Sequence, residues 1–95
     1  MKVIYCQDAK TCEIREIDGS LESMQKLVDG LIQVLYLSRE LCVVVNEEGR
    51  LRNMPFNRMI SGHILVGPIF FAKVSGEDIV GFTDEVATSM LELVA

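Results

Sequence analysis

Asn57 and Arg58, which follow Pro55 directly after Met54 and Phe56 have bracketed the proline, are the side chains best suited to hold a small anion. A proline fixes the local backbone, and an amide beside a guanidinium can then offer converging donors to a carboxylate or phosphate. His63 and Arg52 lie near them in sequence and extend the candidate set to Asn57, Arg58, His63 and Arg52. The same residues fit a plainer reading, in which Asn57 caps a turn and Arg58 pairs with one of the many acidic side chains. Arg50, Arg52 and Arg58 likewise form either a basic spot or a solvated turn.

Few other residue types have the spacing that catalysis needs. His63 is the only histidine, so a site built from several imidazoles is excluded, and general-base chemistry would need a carboxylate or thiol brought to it by the fold. Cys42 or Cys6 could supply the thiol. Their apolar neighbours raise a thiol pKa rather than lower it, which argues against an activated nucleophile. The paired acids Glu47-Glu48 and Glu77-Asp78 read as solvated turns without the perturbed pKa of acid–base pairs. Gly62 and Gly67 sit in no phosphate-binding pattern, and no calcium loop is present. The expectation is a chain without catalytic residues, metal or cofactor.

The elements that must position these residues follow from size and patterning. At 95 residues the chain is expected to form one domain, 1–95. Hydrophobic residues make up 49% of it, with a mean hydropathy of +0.30, whereas a domain this small buries only about two thirds of its unfolded surface. Apolar surface is therefore left outside, which predicts an interface: a homodimer, and a protein partner for the acidic face. Nine basic residues against 14 acidic ones give a net charge of −5, which opposes binding to a nucleic-acid backbone.

The three cysteines, Cys6, Cys12 and Cys42, lack metal-ligand spacing and are expected to be reduced thiols of a cytoplasmic protein. Cys6 and Cys12 could nonetheless face each other across a hairpin. No secretory leader is expected, because Met1 runs straight into a strand pattern. The longest apolar run, Ile64 to Ala72, is interrupted by Gly67-Pro68 and falls short of the roughly 18 to 20 residues of a membrane span.

Along the chain, Lys2–Cys6 and Cys12–Ile17 predict a hairpin whose charged second strand is an edge. Ser20 is an N-cap for a helix carrying Leu21, Met24, Leu27 and Val28, stopped at Gly30. Leu31–Leu37 and Leu41–Val45 are apolar on both faces and are expected to be the central strands. Asn46–Gly49 makes a turn, Arg50–Arg52 a short strand, and Pro55 a loop. Val66–Val74 reads as one further strand, starting at Pro68, and Thr83 caps a second helix with Val86, Met90, Leu93 and Val94 on one face. The predicted fold is α+β, a single mainly antiparallel sheet of about five to six strands with two short helices.

Arg15-Glu16-Ile17-Asp18, Val45 through Leu51, Pro55-Phe56-Asn57-Arg58, Ile64 through Pro68 and Phe82-Thr83-Asp84-Glu85 occur in an order that resembles domain-of-unknown-function family 3846, small proteins of bacteria, phages and mobile elements. The resemblance runs over nearly the whole chain, with Phe56 where a second proline is common. It implies a cytoplasmic accessory protein of a phage or mobile element and brings no assigned activity. Two functions are carried forward: a non-enzymatic interaction module that dimerises and engages a host protein, and a binder of a small, nucleotide-like anion at the Pro55–Arg58 loop.

Overall fold

The computed structural model describes all residues, 1–95. Its order is β1 (Lys2–Cys6), β2 (Cys12–Glu16), α1 (Leu21–Val28), β3 (Ile32–Tyr36), β4 (Leu41–Asn46), β5 (Phe56–Ile60), β6 (His63–Val66), β7 (Ile69–Ser75), β8 (Asp78–Val80) and α2 (Asp84–Val94). The main sheet runs β2-β1-β7-β4-β3, with β8 paired to the far end of β7, and every pairing is antiparallel. β5 and β6 form a separate two-stranded sheet. The fold is α+β, and no helix is long and apolar enough to cross a membrane.

Both faces of the main sheet are buried at its centre. One core contains Ile4, Val43, Val45, Ile69 and Phe71, covered by Leu65 of the small sheet and Ala87 of α2. The opposite core contains Val3, Cys42, Val44, Phe70 and Ala72, covered by Leu27 and Val28 of α1. Successive strand residues point to opposite faces, so the consecutive apolar residues of β4 and β7 feed both cores. Each fully buried Phe or Ile contributes about 2–3 kcal/mol.

Both helices begin where the caps predict. Ser20 Oγ accepts from Ser23 N and Thr83 Oγ1 from Val86 N. The left-handed residue that ends α1 is Asp29 rather than Gly30, and the Gly30 amide turns back to Gln25 O. Lys2 spans β1 and α2, reaching Glu16 at 3.2 Å and Asp84 at 3.0 Å.

Several elements differ from expectation. Arg50–Arg52 is a run of turns: Gly49 N, Arg52 N and Met54 N donate to Asn46 O, Glu48 O and Gly49 O, which satisfies the backbone locally and leaves nothing for a ladder. The segment after Pro55 is strand β5, closed onto β6 by Ser61 and Gly62, both at positive φ. Val66–Val74 is divided at Gly67-Pro68 into β6 and β7, which belong to different sheets. β8 is an added strand after the Gly76 turn. β3 is an edge, and β7 takes the central place. Cys6 and Cys12 stand opposite in register, Cα atoms 4.1 Å apart, and form a disulfide in place of two free thiols.

Asp18 gives a pH test of the α1 entry. Its carboxylate accepts from Ser20 N at 2.8 Å, and hydrogen bonds from Ser20, then Ser23, lower its pKa to about 2. A depressed carboxylate stabilises the fold above its unfolded pKa of about 3.9, and that contribution is lost as pH falls toward 2. Urea midpoints measured from pH 5 to 2 are expected to fall more steeply for the wild type than for Asp18→Asn; parallel curves would refute the assignment.

Candidate functional site

Asn57 is an inward-facing residue of β5, only 2% exposed. Its side-chain amide donates to Cys6 O at 3.0 Å and to Gly67 O at 2.8 Å. It thereby fastens the small sheet to the end of β1 and to the bend that separates β6 from β7. Gly67 sits at φ +72 with its amide donating to Pro55 O at 2.8 Å, and a Cβ there would lie 2.5 Å from Met54 Sδ. The left-handed backbone favours glycine, and any side chain there would also displace Met54.

Arg58 is half-buried behind Asn57. Its Nε donates to Asn57 Oδ1 at 2.8 Å, Nη1 to Val94 O at the end of α2, and Nη2 to Cys12 Sγ at 3.1 Å and Asp8 O at 3.4 Å. A guanidinium against the last carbonyls of a helix complements the negative end of its dipole. Burial pulls the Arg58 pKa below its ordinary value, with Asp8 acting in the opposite sense. The donors of Asn57 and Arg58 thus turn toward the chain itself, joining β5, the β1–β2 hairpin and α2.

The other two candidates lie elsewhere. Arg52 holds the end of α1, donating to Asp29 O at 2.6 Å and to Asp29 Oδ2 at 3.0 Å. His63 is exposed on β6 and lines a cleft of about 330 Å³ between the small sheet, β3 and the turns after β4. Gln33, Leu35, Glu48 and Arg50 share that cleft, and Arg50 Nη2 donates to Ile64 O at 3.3 Å. The structure therefore brings Asn57 and Arg58 together and leaves Arg52 and His63 apart from them.

The sequence marks Asn46 only as a turn residue. It is 4% exposed; its amide donates to Val28 O at 2.9 Å and Asp29 O at 3.1 Å, and its Oδ1 accepts from Glu48 N at 2.7 Å. Two buried asparagines thus satisfy backbone carbonyls, Asn46 where the chain leaves β4 and Asn57 where it returns to the main sheet at Gly67. No buried side-chain polar atom lacks a partner. No group of three His, Cys, Asp or Glu side chains converges as a metal site would require. Cys42 lies in the α1-side core, where burial pushes its thiol up to about 11 despite a contact with Ala72 O.

The outer face of the small sheet carries a signal that the sequence pattern concealed. Met59 pairs directly with Ile64, and Phe56 with Val66, with a register shift between Phe56 and Arg58. The extra residue lets Asn57 point inward while returning Phe56 to the outer face. Phe56, Met59 and Ile64 are 57%, 61% and 47% exposed. Alternating apolar and polar residues would have marked this strand, and the bulge interrupts that alternation.

A family model described as a domain of unknown function (DUF3846) matches residues 1–95, the whole chain. No curated protein and no solved structure matches it.

Replacing Asn57 with alanine is expected to lower unfolding free energy by about 3 kcal/mol, because buried carbonyls lose their donor. Urea denaturation measures this, and a loss below about 0.5 kcal/mol, the scale of ordinary surface changes, would contradict the fastening role. Cys42 should resist iodoacetamide at pH 8 until the protein unfolds. Peptide mapping that finds it alkylated in native protein at the rate of a free thiol would contradict its buried, protonated state.

Proposed function

The chain belongs to the domain-of-unknown-function family DUF3846, and from that premise we propose that it is a non-enzymatic interaction module whose contact surface is the outer face of the β5–β6 hairpin. The observation that carries this reading is the exposed apolar set Phe56, Met59 and Ile64, arranged on one face by the bulge. Contiguous apolar surface of this kind marks a contact site, and aromatic and methionine side chains are enriched in interface cores.

The surroundings of that face define the partner. Glu47 and Glu48 are exposed and share the His63 cleft with Ile64 and with Arg50, so the surface that fits is apolar with a rim in which basic groups outnumber acidic ones. Acidic groups at a rim govern association rate and partner choice more than affinity. The hairpin presents this face from a rigid base, since Asn57 ties it to Cys6 O and Gly67 O. A pre-formed surface loses little conformational entropy on binding. The resemblance to phage and mobile-element proteins is consistent with a host protein as that partner.

The reading is tested by affinity capture from host lysate with the wild type and with a Met59→Glu, Ile64→Lys double variant. Both positions are exposed, so circular dichroism and Tm should match between the two proteins. A protein retained by the wild type and lost by the folded double variant supports the reading. Retention of the same proteins by both would overturn the assignment of the hairpin face.

A further inference from the structure

β3 is an edge strand of the main sheet and carries no charged residue: Ile32, Gln33, Val34, Leu35 and Tyr36. The opposite edge, β2, carries Glu13, Arg15 and Glu16, charges that discourage further pairing. The phase of the β3–β4 ladder follows from its ends, where Glu47 N donates to Leu31 O and Leu37 N to Leu41 O. Residues directed toward β4 therefore fall on the odd positions, and the N–H and C=O groups of Ile32, Val34 and Tyr36 face outward.

We propose that β3 is a homodimer interface, pairing antiparallel with β3 of a second copy about a two-fold axis at Val34. In this register Val34 meets Val34, and Ile32 meets Tyr36 on either side. All three outward N–H groups and all three outward C=O groups of each copy then find partners. Two exposed apolar residues at the ends of the strand are covered by the same step. Tyr36, 63% exposed, lies across from Ile32 of the second copy, an aromatic and β-branched cross-strand pair. Leu31, 53% exposed, comes level with Leu37.

The self-complementary register, in which one uncharged strand supplies both sides of the ladder, selects a second copy as the occupant, and charge sets where two copies can meet. Each copy has a net charge of −5, so self-association is resisted wherever acidic surface meets its like. A strand with no charge is the edge on which two identical acidic chains approach at least electrostatic cost. The pairing is isologous and closes at two copies, and it joins the two main sheets into one. It leaves the outer face of β5–β6 unoccupied, so a dimer would display two such faces.

Light scattering coupled to size-exclusion chromatography, with variants, tests the pairing. The wild type is expected at twice the mass of one chain. Val34→Pro removes an outward N–H that β4 does not use, a placement an edge strand tolerates, and Tyr36→Glu puts a charge on an exposed position. Both are expected to run as folded monomers with an unchanged circular dichroism spectrum. Amide exchange at Ile32, Val34 and Tyr36 should slow at least tenfold as wild-type concentration rises through the dissociation constant. A wild type that remains monomeric at millimolar concentration would overturn the proposal, as would a dimer that survives both variants. A dimer broken by Met59→Glu but intact in Tyr36→Glu would assign self-contact to the hairpin and equally end it.

Discussion

Ile69, Phe70, Phe71 and Ala72 follow one another along β7 with almost no exposed surface, so the sheet must be covered on both faces around that strand. Two helices do not suffice. α1 has only eight residues and lies over the Phe70 side, while α2 lies toward the β1–β2 end of the Phe71 side. The remaining stretch near Val45 and Ile69 is covered by Leu65 and Ile60 of the β5–β6 hairpin. The hairpin is thus a third covering element, and the bend at Gly67-Pro68 is what allows it to leave one sheet and lie over the other.

That arrangement sets how much could be read from the sequence. The first hairpin, both capped helices, the charged edge at β2 and the α+β class were legible because their signals are local: alternation, capping hydroxyls and turn residues. The apolar run Ile64 to Ala72 looked continuous because apolarity says that a residue is buried and not in which sheet. β3 and β4 looked equally central for the same reason, although Leu35 is only half-buried and Val43 is fully buried. The order of strands depends on long-range pairing, and β7 reaches its central place only by pairing with β1 and β4 at once.

The candidate site was legible as residues and not as roles. Pro55 marks Asn57 and Arg58 because a fixed loop can present donors, and in the structure those donors spread to carbonyls and a sulfur of the chain itself, on β1, the Gly67 bend, the β1–β2 hairpin and α2. Asn57 was easy to misplace because a polar residue in a strand normally faces water. Here two backbone carbonyls near it would otherwise face an apolar core, and a side-chain amide is the smallest group that can satisfy both. Asn46 does the same for Val28 O and Asp29 O where the chain leaves β4. Neither donor role has a signature in the neighbouring residues, since Cys6 O, which Asn57 reaches, and Val28 O and Asp29 O, which Asn46 reaches, lie far away along the chain.

The tip of the β5–β6 hairpin, Ser61-Gly62, stands clear of the body: a side chain added at Gly62 would meet nothing within 4 Å. Its base, in contrast, is pinned by Asn57 and Gly67. With Ile60 and Leu65 holding the inner face on the core, the tip and the outward residues can still change without disturbing either core. Sequence divergence can therefore accumulate there at little cost to folding, so that related chains could share one scaffold while acquiring different recognition properties.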